Sequence, residues 1–246
     1  MAIMATEMAS DPPGLIPTLA RLMIWLSPAY PVGGFSYSHG LEWTVEAGEV
    51  RDPATLGNWI EDILHHGAGR SDAILLAETW RAVTAGDERL LAEIAELAAA
   101  LAPSAERRLE TLAQGAAFLG ATRAVWPSAG LDRLAAGKSG DTRESAPEIA
   151  YPVAVGACAA AHDLPLQPTA HAFAQAFAAN LVSAGVRLIP LGQTDGLRVL
   201  ARLEPMLAPL VARALSSTLD DVGGASILAD IASMRHETQY TRLFRS

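Results

Sequence analysis

The stretch richest in residues that could take part in a reaction runs from Ser27 to Trp43 and reads SPAYPVGGFSYSHGLEW. Its centre, GFSYS, differs by one residue from the G-x-S-x-G elbow, in which a serine between two glycines acts as a nucleophile. Ser38 occupies the position of the second glycine, and the apolar spacing from Leu19 to Leu26 predicts a helix where an elbow needs a strand. A hydrolase that uses Ser36 is therefore the weakest of the functions considered for this stretch.

A second motif, Gly137-Lys138-Ser139, matches the end of a phosphate-binding P-loop. A P-loop also requires a glycine five residues before the first of these positions, where this chain has Asp132, and a preceding strand. We interpret the match as a chance occurrence in a loop, so the chain itself is not predicted to hydrolyse a nucleotide.

The histidines show no spacing typical of metal ligands. His65 and His66 end a predicted helix, where positive charge complements the helix dipole. An H-E-x-x-H motif that begins at His236 would need a second histidine where the chain has Tyr240. Cys158 is the only cysteine, so a thiolate cage cannot form within one chain. The sequence therefore predicts no catalytic residue, no resident metal and no cofactor.

The last sixteen residues before the end of the sequence, IASMRHETQYTRLFRS, mix arginines with aromatic and aliphatic side chains. Arginine, tyrosine and phenylalanine are enriched at protein interfaces. The pattern is equally typical of an arm that docks on its own domain, and the two interpretations are compatible.

Charge and hydropathy limit the classes of partner. The chain has 18 basic and 27 acidic residues, a net charge of −9, and no basic stripe, which disfavours nucleic acid and anionic membranes as partners. No apolar run approaches the length of about 20 residues that a membrane span needs. The first residues lack the features of a signal peptide, so a cytoplasmic location is expected.

The elements that must position these residues are predicted to be helices. Alanine and leucine dominate the apolar half of the chain, and runs of strand-forming residues are scarce. We predict an all-α fold, a single compact helical domain of roughly eight to ten helices. Helix starts are expected after Asp52, Asp87 and Ser104, and helix interruptions at Pro205 and Pro209.

The sequence is predicted to divide into an N-terminal arm, a helical domain that contains one long loop, and a C-terminal arm. Residues 1–14 form a flexible N-terminal arm, 15–224 the helical domain, and 225–246 a C-terminal partner-binding arm. Within the domain, 128–148 is rich in glycine, serine and charge and is predicted to be a mobile loop.

Four blocks of this sequence resemble the urease accessory protein UreF family. They are LSPAYPVGGFSYSHGLEWTVEAG, YPVAVGACAAA, IPLGQTDGLRVLARLEP and IASMRHETQYTRLFRS, in the order expected for that family and across most of the chain. The resemblance implies a homodimeric helical scaffold without enzymatic activity. It also implies a role in nickel insertion, in which the protein bridges UreD (UreH in some organisms) and the GTPase UreG during maturation of apo-urease. Nickel would be in transit through such a complex.

With the resemblance, the opening stretch and the tail become candidate surfaces for these partners, although the opening stretch could equally seal the core or the dimer. The predicted partner-binding residues are Tyr30, Pro31, Gly33, Gly34, Phe35, Ser36, Tyr37, Glu42, Trp43, Arg235, Glu237, Tyr240, Arg242, Leu243, Phe244 and Arg245. The main alternative function is a GTPase-activating protein that acts in trans on UreG.

Overall fold

The computed structural model describes residues 14–136 and 148–246, and these residues form eleven α-helices, two short 3-10 helices and no strand. The α-helices are α1 (Leu15–Trp25), α2 (Leu41–Glu46), α3 (Pro53–His66), α4 (Ala68–Ala85), α5 (Glu88–Ala100), α6 (Ala105–Val125), α7 (Ala129–Ala136), α8 (Tyr151–Ala161), α9 (Leu166–Leu188), α10 (Gln193–Ser216) and α11 (Ile227–His236). The 3-10 helices are Gly34–Ser36 and Leu219–Asp221. The prediction of an all-α fold is confirmed.

Local capping signals set the starts of three helices where the sequence predicts them. The Asp52 side chain accepts a hydrogen bond from the Thr55 N–H at 2.8 Å, and the Thr55 hydroxyl accepts one from the Asp52 N–H at 3.1 Å, which completes a capping box before Pro53. Asp87 and Ser104 each accept a hydrogen bond from the backbone N–H three residues further on. These caps satisfy backbone donors that a helix start leaves free.

Helix α10 corrects the prediction that Pro205 and Pro209 interrupt the chain. It is continuous from Gln193 to Ser216, and both prolines lie on its exposed side. The opposite side buries Leu203 and Leu207 against the core, so packing on α9 and α3 compensates for the backbone hydrogen bonds that the prolines remove.

Helix α7 corrects part of the predicted loop 128–148. Residues 129–136 are helical, because Leu131 is buried in the core and Asp132 pairs with Arg123 of α6 at 2.8 Å. Gly-Lys-Ser and the rest of that loop lie outside the described residues, as does the N-terminal arm up to residue 13.

Helix α8 lies at the centre of the core, between α4 and α6. Its small side chains are nearly all buried. A Cβ added at Gly156 would lie 2.6 Å from the carbonyl oxygen of Leu76, and one added at Gly115 would lie 1.9 Å from that of Ile149. These contacts require glycine, so the backbones of α4, α6 and the entry to α8 approach closely only because side chains are missing there.

Two helices, α1 and α11, each expose four large apolar side chains. The exposed residues are Ile16, Leu19, Met23 and Ile24 on α1, and Ile227, Leu228, Ile231 and Met234 on α11. No helix in the described ranges combines the length and the apolar character needed to cross a membrane. Exposed apolar faces of this kind are typical of surfaces that bind another protein.

Candidate partner-binding site

Residues 237–246, which we call the C-terminal segment, fold back onto the turn that contains GFSYSH. The Ser38 N–H donates to the carbonyl oxygen of Ser246 at 2.7 Å, and the Arg245 N–H donates to that of Ser36 at 2.8 Å. The Ser38 hydroxyl donates to the same Ser246 oxygen at 2.5 Å. Two stretches about two hundred residues apart in the sequence therefore form one site.

Glu42, in the first turn of α2, anchors the C-terminal segment. Its carboxylate accepts hydrogen bonds from the Leu243 N–H at 2.6 Å and the Phe244 N–H at 2.9 Å. The same carboxylate lies 3.0 Å from Nε2 of His236, and Glu42 is only 7% exposed. This buried carboxylate is enclosed by two backbone N–H donors and a ring nitrogen, so Glu42 fixes the path of the chain rather than remaining free for a partner.

His236 connects this anchor to α6. Its side chain is 0% exposed, and its Nδ1 lies 2.6 Å from the carboxylate of Glu106. Arg242 donates to the other oxygen of Glu106 at 2.5 Å. Glu237 accepts from the Ala105 N–H at 2.7 Å, at the positive end of the α6 dipole. Helix α11 and the C-terminal segment are therefore tied to α2 and α6 through the carboxylates of Glu42 and Glu106.

Close backbone approach places α11 beside α2. Gly40 has φ +74°, and a Cβ there would lie 2.6 Å from the backbone nitrogen of Ser233. The Ser233 hydroxyl also bonds to that of Ser104, the N-cap of α6. Gly40 is thus required both for its left-handed conformation and for the space that α11 occupies.

A second buried cluster lies beneath the segment and centres on Glu110. This carboxylate pairs with Arg107 and with Nε2 of His39 at 2.9 Å, and it accepts from the Ser246 hydroxyl at 2.6 Å. Burial alone would raise the pKa of Glu110, but Arg107, His39 and Ser246 together hold it at about 2. Burial and the charge of Arg107 lower the pKa of His39.

Asp72 of α4 lines two cavities of about 230 and about 190 Å³. Both cavities are lined by Asp72, His39, Arg107 and Thr111. Burial raises the pKa of Asp72 to about 7, although the nearby Arg107 opposes the shift. Among the described residues, no three His, Cys, Asp or Glu side chains are arranged to hold a metal ion, so we assign no ligand set.

Arg187 of α9 links the opening turn to the C-terminal segment through two aromatic rings. Its guanidinium lies 3.6 Å from the ring centroid of Phe35 and 4.3 Å from that of Phe244. It also donates to the carbonyl oxygen of Phe35 at 2.8 Å. The cation–π contacts hold the buried ring of Phe244 and the exposed ring of Phe35 in one stack.

The structure divides the predicted partner-binding residues into two groups. Tyr30, Tyr37, Glu42 and Phe244 are buried within this chain, where they support the surface from below. The remaining predicted residues are exposed or half-buried: Pro31, Gly33, Gly34, Phe35, Ser36, Trp43, Arg235, Glu237, Tyr240, Arg242, Leu243 and Arg245.

The buried residues have structural contacts of their own. The Tyr30 hydroxyl bonds to that of Thr122 at 2.8 Å. The half-buried Ser36 ends a 3-10 helix, so the strand that a serine elbow needs does not precede it. Sequence reasoning missed His236, Glu106 and Glu110. Their partners lie on other helices, so local spacing carried no signal for them.

The fold and the site together define a helical protein in which a network of buried polar side chains shapes an exposed surface. The sequence profile of the UreF family matches residues 50–204. The chain is 56% identical over 229 residues to the urease accessory protein UreF of Rhodopseudomonas palustris (strain HaA2), a match that covers 93% of this chain and 94% of that protein.

Other urease accessory proteins UreF are similar over the same extent. That of Bradyrhizobium diazoefficiens is 56% identical over 228 residues, covering 93% of this chain and 91% of the relative. That of Xanthobacter autotrophicus is 55% identical over 238 residues, covering 97% and 93%. The chain belongs to the UreF family of urease accessory proteins, which confirms the resemblance found in the sequence.

Proposed function

We propose that this protein is an adaptor in urease maturation that, as a homodimer, bridges UreD (or UreH) and the GTPase UreG while nickel is delivered to apo-urease. Nickel is the cargo of the assembly and not a resident cofactor of this chain. Family membership supports the general role, and the C-terminal segment supports the binding of a protein partner.

The observation that carries the proposal is the contrast between exposed and buried side chains within that segment. Tyr240 is fully exposed and Leu243 is 68% exposed, whereas Phe244, the residue after Leu243, is buried. Glu42 holds the backbone of Leu243 and Phe244 in place. The exposed side chains are therefore presented on a fixed backbone that directly follows α11.

Such preorganisation changes the expected energetics of binding. Ordering a disordered arm on a partner costs conformational entropy that subtracts from affinity. Because the segment is already docked on α2, α6 and α9, most of that entropy is lost when the chain folds and does not reduce the free energy of binding. We assign this surface, Tyr240, Leu243 and the exposed face of α11, to UreD.

The test uses point variants, because removing residues 235–246 would also remove Phe244 and Ser246 from the interior. The double variant Tyr240→Ala, Leu243→Ala is co-expressed with UreD and UreG, and retention of each partner is measured by affinity purification. Leu197→Ala on α10, another exposed leucine, is the matched control.

We expect the double variant to lose at least about tenfold in affinity for UreD, as removal of two interface anchors does elsewhere. The control should retain the wild-type affinity. Equal retention of UreD by the double variant and the wild type would contradict the assignment of this surface.

Activation of UreG in trans remains the second candidate, and the exposed arginines define how to test it. Arg235 stacks on Trp43 and Arg242 pairs with Glu106, whereas Arg245 is exposed and is held only through its backbone N–H in the contacts described above. An activator would supply an arginine to the transition state. The test measures GTP turnover by UreG with and without this protein. An increase that the wild type causes and the Arg245→Ala variant does not cause would favour the activator. A rate that is the same with both proteins would favour the adaptor.

A further inference from the structure

The smaller of the two cavities extends from the surface of the protein into its interior. This cavity of about 190 Å³, which we call the α9 cavity, is lined at its mouth by Pro28, Phe35 and Ser183, and all three of these residues are exposed. Asp72 of α4 and Tyr151 of α8 also line it, and burial raises the pKa of both side chains. The α9 cavity therefore leads from solvent to buried polar groups.

The remaining wall of the α9 cavity is mostly apolar and aromatic. Leu26 and Val32 contribute from the stretch after α1, and Phe173 and Phe177 contribute from α9. The rings of Tyr151 and Phe173 lie with their centroids 5.5 Å apart. A cavity of about 150 Å³ accommodates benzene, so the α9 cavity can hold an aromatic ring or a short alkyl chain. Aromatic faces also attract cations.

Two polar side chains of this cavity lack a hydrogen-bond partner within the part of the chain that the structure describes. Burial raises the pKa of Asp72 and the charge of Arg107 opposes the shift, but no hydrogen bond contributes to it. The pKa of Tyr151 is raised by burial and by the neighbouring Tyr30, again without a hydrogen bond. Buried polar groups are normally paired, so this carboxylate and this hydroxyl indicate an occupant that supplies the missing donor.

The charges in the α9 cavity show what kind of donor is missing. Arg107 pairs with Glu110, and Nε2 of His39 lies 2.9 Å from the same carboxylate. Against the effect of burial, Arg107 and His39 hold the pKa of Glu110 at about 2, so Glu110 is ionised at neutral pH. Burial and Arg107 lower the pKa of His39, which favours its neutral form. Asp72 is therefore left without a cation of its own, and an enclosed carboxylate without a counter-ion is costly.

We propose that the α9 cavity binds an organic cation: a primary ammonium or guanidinium group pairs with Asp72 and donates to the Tyr151 hydroxyl, while its apolar stem packs against Phe173 and Phe177. A carboxylate is the natural partner of such donors. The cation is a free amine or the lysine or arginine side chain of a bound protein, because both present the same group on the same kind of stem. The site does not depend on the proposed function; only its occupant within a complex does.

The experiment uses benzylammonium as the probe and benzyl alcohol as its uncharged counterpart of similar shape. Isothermal titration calorimetry measures the binding of each to the full-length protein at pH 8, where Asp72, with a pKa of about 7, is largely ionised. We expect benzylammonium to bind at least about tenfold more tightly than benzyl alcohol, because a hydrogen bond to a charged group contributes that much. Equal affinity for the two compounds, or no binding of either, overturns the proposal.

Three variants locate the site. Asp72→Asn keeps the shape of the side chain and removes its charge, so it should abolish the preference for benzylammonium. Ala176→Leu fills the α9 cavity and should abolish binding, whereas Ala229→Leu, a matched change that lines only the larger cavity, should bind like the wild type. Circular dichroism checks that each variant folds. If Ala176→Leu does not fold, Asp72→Asn decides. Wild-type affinity for benzylammonium in Asp72→Asn overturns the proposal.

A second arm of the experiment distinguishes the two sources of the cation. Retention of UreD and of UreG by this protein is measured with and without saturating benzylammonium. A loss of one partner identifies a basic side chain of that partner as the occupant, whereas unchanged retention of both identifies a free amine. The calorimetry uses the isolated protein, so its failure is distinct from failure of the proposed function, which the Tyr240→Ala, Leu243→Ala variant tests.

Discussion

Different interactions stabilise the core around α8 and the seam, by which we mean the contacts that hold the C-terminal segment on α2 and α6. Around α8, small apolar side chains and two glycines bring backbones together without using charge. At the seam, Glu42, Glu106, His236 and Arg242 hold the chain by ionic hydrogen bonds. Apolar packing has no preferred direction, whereas hydrogen bonds to carboxylates fix the geometry of both partners. The core therefore holds the helices together, and the seam sets the path of the C-terminal segment.

The largest effect is expected from a change in the core. Gly115→Ala places a methyl group 1.9 Å from the Ile149 carbonyl oxygen and should lower the free energy of unfolding by at least about 3 kcal/mol. Gly120→Ala on the same helix meets nothing within 4 Å and should raise it by about 0.5 kcal/mol. Urea unfolding of both variants measures the difference; similar stability of the two would contradict close backbone packing as the basis of the core.

The second effect concerns the buried cluster below the seam. Glu110→Gln leaves Arg107 without its carboxylate and should cost about 2 kcal/mol at neutral pH. The pKa of Glu110 is lowered to about 2, so the stabilisation by its ionised form is present above the ordinary value of 4.5 and is lost as the pH falls toward 2. The gap between variant and wild type in urea unfolding should therefore narrow near pH 3; a gap independent of pH would exclude the ionised pair as its source.

Asp72, at the boundary between the core and the Glu110 cluster, should show the opposite dependence of stability on pH. Its pKa is raised to about 7 from 3.8, so the folded state binds the proton more tightly than the unfolded chain, and stability falls as the pH rises between these values. Asp72→Asn should raise the free energy of unfolding by about 1 to 2 kcal/mol at pH 8, after allowance for water in the cavities, and by nearly nothing at pH 4. Destabilisation at pH 8 would contradict this account.

The smallest effect is expected at the exposed end of the seam. Tyr240 is fully exposed, so Tyr240→Ala should change the free energy of unfolding by no more than about 0.5 kcal/mol. Thermal unfolding gives the measurement, and Phe244→Ala, which removes the buried neighbour, is the comparison. A large loss of stability in Tyr240→Ala would place that ring in the fold rather than on the binding surface.

The sequence was sufficient to predict those features of the fold that local signals control. The caps at Asp52, Asp87 and Ser104 act within one turn, so their residue types suffice to locate the helix starts. Pro205 and Pro209 were misinterpreted because packing of the opposite side of α10 outweighs their local effect. Residues 129–136 were taken for loop because burial of one leucine, Leu131, outweighs a composition typical of loops.

The candidate site was predicted in outline but not in mechanism. The opening stretch and the tail were both identified as candidate surfaces, yet nothing in their spacing joins Glu42 to Phe244 across the chain. His236 was set aside because no histidine follows it at the spacing of a metal motif. Its partners are carboxylates from α2 and α6, which only the folded chain brings to it.

The stack of Phe35, Arg187 and Phe244 has a consequence for how such chains diverge. A guanidinium between two rings loses its favourable contacts if either ring disappears, and the rings lose their spacer if the arginine does. Substitutions at these three positions should therefore be inherited together among related proteins, so that a lineage that has replaced the arginine has also replaced at least one ring.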